Sequence, residues 1–172
     1  SINPEIYLVG NKSIIEKRLN TKKFTNSLLK HFEIIHASQS ITMHDRPSRV
    51  IKNKPDSSML KAIALLKESK VDAVVSCGNT GALLASSLFT IGLIEGIKRP
   101  TLAPYIPTKN GGFILCDVGA NLNIRAEHLL QFALMANSYM KLLKTIKTPR
   151  IGLLNIGQEK TKGTEILIES YN

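Results

Sequence analysis

A chain of 172 residues, 43% hydrophobic and 21% charged with a net charge of +10, is long enough for one domain with a full core and too apolar to be disordered. Its longest nearly apolar run, Ala82 to Ile94, is broken by Ser86, Ser87 and Thr90 and falls short of the ~18 to 20 residues that cross a bilayer, so no transmembrane helix is predicted. The excess of Lys and Arg favours an acidic partner, a nucleic acid or an anionic membrane surface; with no Trp, scattered aromatics, no RNA-binding aromatic signature and no zinc finger, nucleic acid is not expected.

The charge is uneven: residues 1–70 hold 13 Lys or Arg against 6 acids, and residues 71–172 hold 10 against 7. Ile6 to Val9 predicts a strand closed by Gly10, and S-x-x-E at Ser13 to Glu16 predicts a capping box opening a helix. Phe32 to His36 predicts a second strand, with His31 and His36 at its ends and no third ligand at a spacing that would hold a metal. Residues 40–56, with Pro47, Pro55, Arg46, Arg49, Lys52 and Lys54, predict an exposed loop with at most a short helix. Asp56 or Ser57 then caps a helix carrying Met59, Leu60, Ile63 and Leu66 at helical spacing and ending near Lys70.

Val71, Val74 and Val75 predict a buried strand, Gly78 to Gly81 a tight turn, and Thr80 to Phe89 a helix that starts at once. A helix start leaves N–H groups without intrahelical partners and carries partial positive charge, so this loop is suited to an anion, phosphate in particular. Gly78 and Gly81 keep side chains out of the way, while Ser76, Asn79 and Thr80 offer short polar groups; Asn79 and Thr80 would serve equally as plain helix caps. Leu102 to Ile106 predicts an edge or irregular strand, Thr108 to Gly112 a turn, and Phe113 to Val118 a buried strand ending in D-V-G-A-N. Glu127 to Leu143 predicts the longest helix, Ile151 to Ile156 a short strand, Gln158 to Gly163 a polar loop with Lys160 and Lys162, and a last helix begins near Thr164. Strands alternating with helices predict a single α/β domain over residues 1–172, a mostly parallel sheet covered on both faces. Ligands of such sheets bind beyond the carboxyl ends of the strands, where loops 76–81, 117–121 and 157–163 are expected to gather. Cys77 and Cys116, in strand-like settings, are expected to be buried thiols of a reducing cytoplasm.

S-C-G-N-T-G-A from Ser76, I-E-G-I-K-R-P from Ile94, P-T-K-N-G-G from Pro107, D-V-G-A-N from Asp117, E-H-L-L-Q-F-A-L-M from Glu127 and G-L-L-N-I-G from Gly152 together resemble the bacterial phosphate acyltransferases of phospholipid synthesis, the PlsX family. H-A-S at His36 to Ser38 and D-S-S-M at Asp56 to Met59 join the resemblance, which covers nearly all of the chain. It implies transfer of a fatty acyl group from acyl carrier protein to inorganic phosphate, without a cofactor, giving acyl phosphate. It also implies a three-layer α/β/α sandwich like those of phosphotransacetylases and isopropylmalate dehydrogenases, a homodimer, and a cytoplasmic protein at the inner face of the membrane. The family's Asp- and Gly-rich N-terminal strand and its C-terminal half have no counterpart here, and the chain begins without Met, as though it were a middle fragment of a longer protein. Thr164 replaces an expected Asn, and Cys77 a common Ala.

On this resemblance, Ser76, Gly78, Asn79, Thr80 and Gly81 would hold phosphate, and Lys162 would neutralise charge, with Lys109 a second choice. Asn121 would donate to the carbonyl oxygen, Asp117 would orient backbone or lysine partners, and His128 would be structural or assist the leaving thiolate. Arg46, Arg49, Lys52 and Lys54 would meet acyl carrier protein or anionic headgroups. A non-catalytic module that binds phosphate, carrier protein or membrane is the alternative. A nicotinamide-dependent dehydrogenase is disfavoured because G-N-T-G is not G-x-G-x-x-G.

Overall fold

The computed structural model describes residues 4–21, 24–159 and 161–172. The chain is α/β, and it forms two compact units, Ser1–Gly92 and Leu93–Asn172. In the first, β1 (Ile6–Gly10) and β2 (Phe32–His36) pair in parallel, from Ile6 opposite Phe32 to Gly10 opposite His36. Parallel neighbours require a crossover, and α1 (Lys12–Thr21) and α2 (Asn26–Leu29) lie within it. His31 and His36 lie at the ends of β2, as expected. The capping box expected at Ser13 and Glu16 does not form. Asn11 stands earlier, and its Oδ1 accepts from the Ile14 N–H at 3.2 Å and from Ser13 Oγ at 2.7 Å, so α1 starts before Ser13.

After β2 the chain is fastened by Asp56. Its carboxylate accepts from the Ser38 N–H at 2.8 Å and Ser38 Oγ at 2.6 Å and pairs with Lys61 at 2.6 Å. Lys61 also donates to the His36 carbonyl at 2.6 Å. Lys61 first, then the two Ser38 donors, hold the Asp56 carboxyl well below the usual carboxylate range. The motifs H-A-S and D-S-S-M thus meet in one hydrogen-bonded clamp between the end of β2 and the start of α4 (Ser58–Lys67).

The 40–56 stretch runs largely exposed with one short helix, as expected, and that helix, α3 (Pro47–Asn53), turns Val50 inward, 2% exposed. Val50 packs with Met59 and Ile63 of α4 and Ala82 of α5 (Thr80–Thr90), flanked by Ile41, Ile51 and Leu83. Met59 and Ile63, four residues apart, share one face of α4. Full burial of such side chains contributes ~1.5 to 3 kcal/mol each. Val71 to Val75 is not a strand: no ladder partner lies beside it among the described residues, and Val75 is 93% exposed. An apolar run becomes a strand only where a neighbour takes its backbone hydrogen bonds.

In the second unit, β3 (Tyr105–Thr108) and β4 (Gly111–Ile114) form an antiparallel hairpin closed by Lys109 and Asn110, rather than strands of a parallel sheet. The two-residue turn leaves no room for a crossover. A Cβ on Gly112 would lie 2.5 Å from the Ile106 carbonyl oxygen and 2.5 Å from the Tyr105 ring, so this position requires glycine. The longest helix, α6 (Ala126–Lys144), buries Ala126, His128 and Phe132, and Lys144 Nζ lies 4.3 Å from the centroid of the Tyr105 ring. Leu143, near its C-terminal end, is exposed. Ile151 to Ile156 was also expected to be a strand, but it has no ladder partner among the described residues. The last helix, α7 (Glu165–Tyr171), follows Thr164 as the sequence predicts. Among the described residues no helix is long and apolar enough to cross a membrane.

Candidate functional site

Loop 76–81 is built by Asn79. Its Oδ1 accepts from the Ala82 N–H at 3.0 Å, capping α5, while its Nδ2 donates to the carbonyls of Thr42 at 3.2 Å and Asp45 at 3.1 Å. Asn79 is buried, and both ends of its amide serve the fold, so the capping reading describes what its side chain does. Gly81 is likewise explained by packing, because a Cβ there would lie 2.8 Å from Pro47 Cγ of α3. What stays open is the rim. Thr80 and Ser76 are exposed, and Ser76 Oγ accepts from the Gly78 N–H at 3.2 Å. The N–H groups of Thr80 and Gly81, the first of α5, have no protein acceptor among the described residues. The resulting donor set, two N–H groups and two hydroxyls at a positive helix end, suits a phosphate oxygen. Cys77, expected to be buried, is exposed because the segment around it is not a strand. Cys116 is partly covered, and burial pushes its thiol up.

In the second unit Asp117 gathers its own loop. It accepts from Thr101 Oγ1 at 3.0 Å, the Leu102 N–H at 2.9 Å and the Asn121 N–H at 2.8 Å. Burial pushes this carboxyl up, but the donors, led by the Leu102 and Asn121 N–H groups, outweigh it and hold it below its ordinary value. Asn121 Nδ2 donates to the Pro100 carbonyl at 2.9 Å and to Asp117 Oδ2 at 3.3 Å, so the amide hydrogens expected to serve an oxyanion are engaged within the loop. Thr101 was not singled out from the sequence, whereas Pro100 closes the I-E-G-I-K-R-P motif. The only signal for Thr101 is its place directly after that motif.

His128 is buried, and its Nδ1 accepts from the Arg125 N–H at 3.0 Å, which caps α6. Its Nε2 lies 3.7 Å from Glu127 Oε1. Glu127 pairs with Lys98, whose ammonium holds that carboxyl below its ordinary value. Lys109 is exposed at the closed tip of the β3–β4 hairpin, ~13 Å along the strands from the open end that leads to Asp117. Lys162 is exposed in the last loop. Its carbonyl accepts from Asn155 Nδ2 at 2.8 Å, and its ammonium pairs with no carboxylate among the described residues. Lys160 lies outside the described residues. Among the described residues no group of three or more His, Cys, Asp or Glu side chains is placed to hold a metal ion.

The four basic residues of loop 40–56 separate into two kinds. Lys54 is internal: Nζ pairs with Asp45 at 2.6 Å and donates to the Ser40 carbonyl at 2.8 Å. Lys54 first, then the Thr42 N–H, brings the Asp45 carboxyl down to about 2. Arg46, Arg49 and Lys52 are exposed and pair with no carboxylate among the described residues.

Fold and loop together define an α/β protein with anion-receiving donors at the start of a helix. The chain belongs to the fatty acid synthesis protein family, whose model matches residues 2–172. It is 46% identical over 170 residues to the phosphate acyltransferase of Dictyoglomus turgidum, covering 98% of this chain and 50% of that protein. To the phosphate acyltransferase of Clostridium tetani it is 43% identical over 166 residues, 96% of this chain and 49% of that one. The corresponding figures for Exiguobacterium sibiricum are 46% over 168 residues, 97% and 49%. The chain spans about half the length of the curated relatives it matches.

Proposed function

We propose that this chain serves phosphate acyltransfer, the movement of a fatty acyl group from the thioester of acyl carrier protein to inorganic phosphate for phospholipid synthesis. The observation that carries the reading is the 46% identity, over 98% of the chain, to a protein named phosphate acyltransferase. The free donors at the start of α5 support it.

A phosphate oxygen forms the new bond to the thioester carbonyl carbon, the C–S bond breaks, and the thiolate leaves, taking up a proton as free thiol. Phosphate at neutral pH needs little activation, so the protein's task is to hold it close to an uncharged carbonyl, where positioning lowers the barrier. The Thr80 and Gly81 N–H groups, Thr80 Oγ1 and Ser76 Oγ hold phosphate, with Gly78 giving room and Asn79 fixing the loop from behind. Lys162 offsets the charge on phosphate or on the tetrahedral intermediate, and Asp117 with Asn121 shapes the D-V-G-A-N loop. His128 acts as a helix cap.

Within the same proposal, residues 1–172 are one α/β domain of a three-layer sandwich with a mostly parallel sheet, in a homodimer working in the cytoplasm at the inner membrane face. The parallel pairing of β1 with β2 supports the sheet, and the rest is what the resemblance to phosphate acyltransferases implies. A second reading, a module that binds phosphate and carrier protein without turnover, is favoured by one observation: the chain covers 50% of its relative.

The test is phosphate-dependent release of free thiol from a long-chain acyl carrier protein, with the 172-residue chain and the complete reading frame side by side. Release that falls roughly 100-fold or more in Lys162→Ala is expected. Release by the complete reading frame alone would favour the binding-module reading for this chain, and release by neither would overturn the acyltransferase reading.

A further inference from the structure

The acids of loop 40–56 are neutralised within the fold, Asp45 by Lys54 and Asp56 by Lys61, and its remaining Arg and Lys side chains pair with no carboxylate among the described residues. On α3, Val50 and Ile51 face the core and Pro47 rests against Gly81. At 100° per residue, Arg49 and Lys52 fall on the opposite side, and Arg46 stands at the helix start. Met43, 70% exposed, lies just before them. This face is tied to the anion loop, because Asn79 holds the carbonyls of Thr42 and Asp45, one residue before Arg46.

We propose that Met43, Arg46, Arg49 and Lys52 form a docking surface for an acidic protein, the one that presents the acyl thioester. The inference deepens the function proposed above and rests on it for the identity of that protein. Two guanidiniums favour carboxylates, which they can grip with paired hydrogen bonds, and a single exposed Met gives an adaptable apolar contact. A membrane surface fits less well. Val50 and Ile51 of α3 are turned inward and cannot enter a bilayer, and three cations fall below the ~4 to 8 of a polybasic lipid-binding segment. Docking here would bring the thioester to the side of the fold where Asn79 joins this surface to loop 76–81.

The test is direct binding, independent of turnover, of fluorescently labelled palmitoyl-acyl carrier protein to the complete reading frame, with phosphatidylglycerol vesicles as a second probe. One variant combines Arg46→Gln, Arg49→Gln and Lys52→Gln. Another, Lys17→Gln, Arg18→Gln and Lys30→Gln, removes the same charge from exposed positions elsewhere in the first unit. Thermal melting confirms that both fold. The α3 variant is expected to bind carrier protein roughly tenfold or more weakly, with a shallower salt dependence, while the second variant binds as the parent does. Equal weakening in both would reduce the effect to net charge and overturn the proposal. So would an α3 variant that keeps carrier binding, or one that loses only the vesicles. If binding behaves as expected while no thiol is released, the acyltransferase reading fails and the docking surface stands.

Discussion

Asn79 and Asp117 meet the same physical demand in different units. Each is a polar side chain in a small-residue loop, and each accepts from backbone N–H groups that would otherwise lack partners, Ala82 for Asn79 and Leu102 and Asn121 for Asp117. For Asn79 the two halves of the amide can be separated by substitution. Asn79→Ala removes both the α5 cap and the donor to the carbonyls of residues 42 and 45, leaving the Asp45 carbonyl unpaired while that of Thr42 keeps the Asp45 N–H at 3.3 Å, and should cost about 2 to 3 kcal/mol. Asn79→Asp restores an acceptor for the Ala82 N–H but offers those carbonyls no donor and sets a carboxylate against them. It should therefore remain close to the Ala variant in urea unfolding. An Asp variant as stable as the parent would show that the cap alone matters and that the tie to Thr42 and Asp45 contributes nothing.

At the scale of the element, α4 shows how a helix ends without glycine. After the last turn Ser69 takes φ 56°, its N–H donates to the Leu66 carbonyl at 3.1 Å, and the Lys70 N–H donates to the Leu65 carbonyl at 3.0 Å. These paired bonds form a Schellman stop, which satisfies two carbonyls that the helix end would otherwise orphan. The left-handed conformation costs an ordinary L-residue about 1 to 2 kcal/mol and glycine almost none, although glycine loses more freedom on folding. Ser69→Gly should therefore stabilise the protein by roughly 0.5 to 1 kcal/mol, and Ser69→Val should destabilise it. Both are measurable as shifts of the urea midpoint at constant slope. A Gly variant no more stable than the parent would mean that Ser69 leaves this conformation at no cost in solution.

Across the whole molecule, what is legible in the sequence is what has a local cause. Helices α4, α5, α6 and α7 follow from apolar spacing and end residues that lie within a few positions of one another. The partners of Asp117 at Thr101 and Leu102 lie 16 and 15 positions away, and nothing local announces them. Strands are the intermediate case, because an apolar run shows only the capacity to pair. Ile6 to Gly10 finds its neighbour in β2, whereas Val71 to Val75 and Ile151 to Ile156 have none among the described residues. Leu154 and Ile156 are consequently 81% and 87% exposed, and in extended backbone two residues of that spacing point to the same side. Apolar, β-forming segments with unpaired backbone are templates for association. The 172-residue chain alone should therefore self-associate in sedimentation velocity as its concentration rises and should bind an apolar dye, despite a net charge of +10 that opposes association. Leu154→Lys with Ile156→Lys should shift it toward monomer and reduce dye binding. A monomeric parent chain that binds no dye would show that these side chains find cover within a single copy.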